Sequence, residues 1–208
     1  MDIKWVPNMG QQNLPIETFK NQEEFKFFPI ILINMSENDD FELKPIGPED
    51  IDKIMCIEPK IFQEGIRQPK EEIQETLVRQ SHIGFAAVGK DGKFYGYVLG
   101  DAVENYPYAS DDSHFGSNNT VYLMSFGVVP EKRGNAIGKL LVDKFVSSAS
   151  ERGYKRMFGH SHLKKGSDVS LGFETVKKCG AREIGKEKEW YDTGDDAILF
   201  EKDLISKI

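Results

Sequence analysis

The sequence predicts an α/β domain of the α+β kind, a sheet accompanied by helices, and three observations carry that reading. Residues 121–149 pass from a β-branched and aromatic run, Val121-Tyr122-Leu123-Met124-Ser125-Phe126, through a tight polar turn into a helical pattern. Gly84–Val88 and Phe94–Leu99 are strand-like runs around Lys90-Asp91-Gly92-Lys93, and Asp-Gly is the strongest short hairpin signal. Strand and helix patterns then follow one another along the chain, with no internal repeat and no low-complexity tract.

Residues 1–40 form an N-terminal extension ahead of a domain spanning 41–208. Polar breaks, Gly10-Gln11-Gln12-Asn13 and Glu37-Asn38-Asp39-Asp40, surround an apolar run at 27–33. Phe28 to Asn34 reads as an added strand or docking segment, because so many apolar side chains are costly to expose; homodimerisation through it is the alternative. Phe41–Ile46 alternates apolar and polar, as a first strand should. Pro48 opens a helix with Glu49 and Asp50 in its first turn and Ile51, Ile54 and Met55 on one face, and Pro59 interrupts it. Ile73 and Leu77 mark a second helix from Pro69, with Glu71, Glu72 and Glu75 solvated.

After the hairpin, Glu104–Asn119 is a long polar loop. Its Tyr106, Tyr108, Asp111, Asp112 and His114 are groups able to bind an amine, although an unordered surface loop is the plainer reading. Pro130 ends the central strand because it cannot donate to a sheet ladder. Ile137, Leu140, Leu141, Phe145 and Ala149 recur at helical spacing. Lys155–His160 is a further strand leading into Ser161-His162. Ser167 or Ser170 caps a helix whose apolar side is Val169, Phe173 and Val176, and Gly180 suits its C-terminus. The last strand is Asp196–Glu201, with Glu189-Trp190-Tyr191 as a strand before it.

Composition narrows the function. Of 208 residues, 39% are hydrophobic and 29% charged, an ordinary soluble balance with enough apolar material for a core. A net charge of −7 gives a nucleic-acid partner no electrostatic support and favours a cationic one, such as an amine. Cys56 and Cys179 make no CxxC and no metal-ligand spacing, so no metal is expected, and reduced thiols suit a cytoplasmic protein. The 27–33 run is far shorter than the roughly 20 residues that span a bilayer, and it follows no basic segment, so no membrane association is expected.

The turn after the central strand is suited to an anion. The first N–H groups of a helix lack internal partners, and the helix dipole is positive there. Gly134, Ala136 and Gly138 keep the entrance small, while Lys132, Arg133 and Lys139 add positive charge. No G-x-G-x-x-G is present, and no Gly-Lys-Ser/Thr closes the turn, so the dinucleotide and P-loop patterns fit worse. Glycines that serve only the turn are the bland alternative.

Val128-Val129-Pro130-Glu131-Lys132-Arg133-Gly134-Asn135-Ala136-Ile137-Gly138-Lys139-Leu140-Leu141 resembles the acyl-CoA signature of the GCN5-related N-acetyltransferase (GNAT) family, Val-x-Pro-x-x-Arg-Gly-x-Gly-x-Gly before an apolar helix. The resemblance implies a mixed, mostly antiparallel central sheet flanked by helices across about 41–204. It also implies a splay beside the central strand that admits the pantetheine arm of acetyl-CoA or another acyl-CoA. Carried over by position, Arg133, Gly134, Asn135, Gly138 and Lys139 contact the phosphates, with Ala136 in place of the family's middle glycine and Ile137 within the same cradle. A methyl group is tolerable at Ala136 if the backbone there is helical. The backbone donor that polarises the thioester carbonyl falls at Phe126, Gly127 or Val128.

An acetyl-CoA-dependent N-acyltransferase follows from that resemblance, with a small-molecule or protein amine as acceptor. An alkylamine has a pKa of about 10.4, so a base or desolvation must help. The family's central-strand glutamate has no counterpart among Met124, Ser125 and Phe126, and its tyrosine acid falls on Val176. The remaining catalytic candidates are His160 and His162, imidazole being the side chain ordinarily suited to proton relay, and Ser125, which could orient the thioester or a water. Glu104 and Tyr191 are more distant candidates. With base and acid positions empty, a non-catalytic acyl-CoA-binding or sensing module is the alternative.

Overall fold

The computed structural model describes residues 40–106 and 119–204. The N-terminal extension up to residue 39 lies outside them, as do Tyr108, Asp111, Asp112 and His114. The strand-like runs become one seven-stranded sheet: β1 (Phe41–Pro45), β2 (Ile83–Gly89), β3 (Phe94–Ala102), β4 (Thr120–Val128), β5 (Arg156–Leu163), β6 (Arg182–Glu187) and β7 (Asp196–Asp203). Their order is β1-β2-β3-β4-β5-β7-β6, and every neighbouring pair is antiparallel except β4 and β5. A parallel pair needs a crossover, which here is helix α3 (Ile137–Glu151). The expected mixed, mostly antiparallel sheet flanked by helices is the one observed.

Strand side chains alternate between the two faces of a sheet, and both faces are covered. On one face α3 and α4 (Leu171–Lys178) bring Leu141, Phe145, Phe173 and Val176 onto Phe85, Val98, Leu123 and Met157. On the other, α1 (Ile51–Ile61) and α2 (Lys70–Val78) bring Ile54, Ile57, Ile73 and Leu77 onto Tyr97, Leu99 and Tyr122. Double coverage explains why β2 is buried along its whole length.

The sheet is not paired along its whole length. β4 and β5 pair only from Thr120 opposite Arg156 to Leu123 opposite Gly159, yet the strands run on to Val128 and Leu163. On its other edge, β4 sets Ser125 opposite Leu99 and Leu123 opposite Gly100, so Met124 is an extra residue in the ladder. Such a bulge bends and twists the strand that carries it. β4 turns with β3, whereas β5 stays with β7 up to Leu163 opposite Asp196. The two strands part at the bulge.

Four local expectations need correction. Helix α1 runs through Pro59 to Ile61, because in a last turn proline forfeits only one intrahelical bond. Val169 precedes α4 and is exposed; Ser170 is the cap, its Oγ accepting from the Phe173 N–H at 3.2 Å. Trp190 and Tyr191 lie in a turn entered through Glu189 at φ +52, and the strand before the last is β6, whose polar outer edge shows no apolar alternation. Tyr106 is core rather than an amine ligand, its hydroxyl 3.1 Å from Thr76 Oγ1.

Phe145 ties α3 to the sheet and is fully buried. Phe145→Ala is expected to cost about 3–5 kcal/mol of stability, read from the urea unfolding midpoint.

Candidate active site

The site is built on the end of β4 and the start of α3. Gly134 (φ +86) and Ala136 (φ 58) both take left-handed backbone, which swings the chain from the strand into the helix. Ala136 is therefore not helical, as the sequence reading required, but carries its methyl group in a region that favours glycine. The first helical bond runs from the Leu140 N–H to the Ala136 carbonyl at 3.0 Å, and no side chain caps the helix. The N–H groups of Ile137, Gly138 and Lys139 precede that bond and have no helical acceptor. Residues 133–136 are exposed, so this positive end of the helix is open to an anion.

The cations nearby are partly engaged. Arg133 lies back along the turn, its Nε donating to the Val128 carbonyl at 3.0 Å and its Nη2 to the Ile61 carbonyl at 3.5 Å. Lys139 pairs with Asp143 one turn along α3, and that hydrogen bond raises its pKa. Lys132 sits 4.1 Å from the centroid of the Tyr95 ring.

The gap in the sheet runs from the Met124 bulge to the end of β4 beside this turn. The Val129 N–H donates to the Tyr95 carbonyl at 2.9 Å, toward β3. Backbone groups alternate in direction along a strand, so those of Phe126 and Val128 face the side where β5 has departed, and those of Gly127 face β3. Gly127 has a packing role as well: a Cβ there would lie 2.3 Å from Ile61 Cγ2, so α1 rests directly on this part of β4.

That close contact brings in a residue the sequence reading passed over. Glu58 of α1 is fully buried, and it accepts a short hydrogen bond from the hydroxyl of Tyr97 on β3. The same hydroxyl lies 2.7 Å from Ser125 Oγ on β4, just past the bulge. Tyr97 has one proton and gives it to the carboxylate, so Ser125 is the donor in the second bond. The other carboxylate oxygen of Glu58 has no hydrogen-bond partner. Desolvation pushes Glu58 up to about 7, against the opposing effects of the Tyr97 hydrogen bond and of the Arg67 charge. Burial also raises Tyr97 well above the ordinary phenol range, which keeps it protonated. A signal existed in the sequence. Glu58 follows Ile54 by four and Ile57 by one, which puts a carboxylate on the apolar stripe of its helix.

The two histidines lie on β5, and their environments differ. His160 Nδ1 is 2.5 Å from the hydroxyl of Tyr122 on β4, and the rings of Trp190 and Tyr191 lie 5.2 and 5.8 Å from its own. Burial lowers its pKa to about 4, so the ring is neutral at neutral pH and a weak base. His162 Nε2 is 2.9 Å from Asp195 Oδ2. The Lys165 N–H, His162 and the Thr193 hydroxyl together hold the Asp195 carboxyl well below the usual range. His162 thus braces the turn before β7. Glu104 lies in a short 3₁₀ turn after β3, and Val176, where a tyrosine acid was sought, is fully buried in the core. Cys179 is partly buried against that core, and burial pushes its thiol up to about 12. Among the described residues, no group of three or more His, Cys, Asp or Glu side chains could hold a metal ion, and no helix is long and apolar enough to cross a membrane.

A family model described as the acetyltransferase (GNAT) family matches residues 51–167, more than half of the chain. The chain belongs to the GNAT acetyltransferase family. Membership brings acyl-CoA-dependent acetyl transfer as the general class of chemistry. Solved GNAT structures share the fold. NAA60 from Arabidopsis thaliana, in complex with acetyl-CoA, is 21% identical with a TM-score of 0.63, covering 79% of this chain and 98% of that one. The ribosomal-protein-S18-alanine N-acetyltransferase from Escherichia coli is 12% identical with a TM-score of 0.61, covering 79% and 94%. The loading GNATL domain of CurA from Lyngbya majuscula is 14% identical with a TM-score of 0.66, covering 80% and 98%. A search of curated protein sequences found no match.

Ala136→Gly removes left-handed strain and is expected to stabilise the fold by about 1 kcal/mol, measured by thermal or urea unfolding. Glu58 has a raised folded-state pKa, so its contribution is fully present below about pH 4.5 and is lost as pH rises through about 7. Relative to Glu58→Gln, the natural protein should lose about 3 kcal/mol of unfolding free energy between pH 4.5 and 8.

Proposed function

We propose that this GNAT protein transfers the acetyl group of acetyl-CoA, or another acyl-CoA, to a primary amine by direct attack on the thioester. The observation that carries the reading is the parting of β4 and β5 beside the uncapped start of α3. One end of that arrangement suits a pyrophosphate and the other an extended pantetheine arm. In this reading Arg133, Gly134, Asn135, Ala136, Ile137, Gly138 and Lys139 hold the phosphates. Arg133 does so by swinging off the Val128 carbonyl, and Lys139 by leaving Asp143.

The thioester then lies along β4, where the inward-facing N–H of Phe126 or Val128 polarises its carbonyl. The acceptor enters from the α1 and α2 face, past Tyr122, His160 and Tyr191. An amine from a small molecule or a protein suits the acidic chain and this aromatic wall. Proteins of similar structure include both a ribosomal-protein-S18-alanine N-acetyltransferase and a nourseothricin acetyltransferase, so acceptor class varies on this fold. Two isolated cysteines with no disulfide framework suit a reducing compartment, the cytoplasm.

Calorimetric titration with acetyl-CoA, desulfo-CoA and ATP tests the cleft, and thiol release with a panel of peptides, polyamines and aminoglycosides tests transfer. Micromolar binding of both CoA compounds but not ATP, with thiol release for at least one amine, is the expected result. Binding without release from any amine would instead support an acyl-CoA-binding module. Arg133→Glu is expected to weaken acetyl-CoA binding roughly tenfold or more, and unchanged affinity would remove Arg133 from the phosphate site.

A further inference from the structure

We propose that Glu58 is the final acceptor of the amine proton, reached through Ser125 and Tyr97 as a relay that starts in the cleft and ends in the core. The inference rests on the acyl-transfer reading above. Its ground is the chain of contacts itself, which joins three elements in one direction. Ser125 is 6% exposed at the mouth of the gap, whereas Tyr97 and Glu58 are fully buried behind it. With Tyr97 donating to Glu58 and Ser125 donating to Tyr97, the serine oxygen retains lone pairs to accept from an amine N–H.

The step balances. As the amine nitrogen bonds to the thioester carbonyl carbon, its proton passes to Ser125 Oγ. The serine proton passes to Tyr97 Oη, and the tyrosine proton to Glu58. The C–S bond breaks, the thiolate leaves with the electron pair, and Glu58 ends as a neutral acid. One negative charge has moved from the carboxylate to the thiolate.

Electrostatics favour Glu58 over the other candidate base. A useful base titrates near the working pH; Glu58 is pushed up to about 7 and His160 down to about 4. The titratable groups acting on Glu58 are Tyr97 of β3, at hydrogen-bond distance, and Arg67 of the α1–α2 loop, while β4 contributes the Ser125 hydroxyl. α2 brings Ile73 and Leu77 to the same core. The unpartnered second oxygen has a consequence too: protonation relieves the cost of a buried charge without breaking any other contact.

The test pairs a rate measurement with a direct titration. In the full chain, the pH profile of thiol release would be recorded with the best amine of the panel for the natural protein, Glu58→Gln, Glu58→Asp, Tyr97→Phe and Ser125→Ala. Acetyl-CoA affinity would be measured for each variant. Glu58→Gln is expected to lower kcat by about 10²–10⁴-fold with acetyl-CoA affinity unchanged, and Glu58→Asp to restore part of the rate. The natural profile should fall on the acid side of about pH 7, and Tyr97→Phe should move that limb to higher pH by removing a hydrogen bond that favours the carboxylate. Ser125→Ala, which leaves the carboxyl in place, should slow the reaction without moving the limb.

Infrared difference spectra across pH read the Glu58 carboxyl band without any acceptor, so they hold if no amine turns over. A midpoint near 7 that disappears in Glu58→Gln supports the relay, and a midpoint at the ordinary carboxylate value overturns it. Full kcat and an unmoved acid limb in Glu58→Gln would also overturn it. Loss of acetyl-CoA binding in the natural protein would instead refute the acyl-transfer reading.

Discussion

The departure of β5 from β4 beyond Leu123 and Gly159 is the constraint on which the rest of this structure depends. A strand in mid-sheet normally spends its backbone groups on both neighbours, and an unpaired buried N–H is costly. Here the extra residue Met124 bends β4 away while β5 remains paired with β7, so Phe126 and Val128 keep donors that no strand takes up. Those donors and the unpartnered N–H groups at the start of α3 flank the same strand-to-helix turn. The same bend places Ser125 where it meets Tyr97 and points Gly127 at α1.

Burial of Glu58 is the second feature that shapes the site. A carboxylate at a fully buried helix position is destabilising unless it is partnered, and only one of its oxygens is. Surrounding it with a tyrosine hydroxyl and aliphatic side chains leaves proton uptake as the inexpensive response near neutral pH. His160 shows the opposite response to burial, since desolvation disfavours its charged form and leaves the ring neutral beside Tyr122. Burial therefore favours a neutral form at both residues, by proton gain at Glu58 and by staying unprotonated at His160.

Much of the fold was legible because it is written locally. The hairpin at Asp91-Gly92 and the helix at Ile137–Glu151 rest on turn chemistry and periodicity, and both stand in the structure. The departures from the sequence reading have separate causes. β6 lies at the sheet edge, so its polar residues show no alternation, and the more aromatic Trp190-Tyr191 drew attention from it. Pro59 looked like a break because its effect depends on its place within the helix, which sequence fixes only loosely. The condition for a methyl group at Ala136, a helical backbone, is not met, because the turn needs left-handed backbone at that point.

The signature from Val128 to Leu141 is contiguous, so the sequence by itself determined which family the chain resembles and which turn the proposal assigns to acyl-CoA. Ser125 was reached in the same way, by its position in the strand just ahead of that signature. Its partners were not. Tyr97 lies 28 residues from Ser125 and Glu58 lies 39 from Tyr97, and no local pattern links a helix, a hairpin strand and a central strand. Only the packing of α1 on β3 and β4 brings them together, and only their shared burial changes the proton affinity of the carboxylate. Tertiary structure decided the proton chemistry because desolvation and hydrogen bonding are properties of surroundings, which a residue acquires only once the chain has folded.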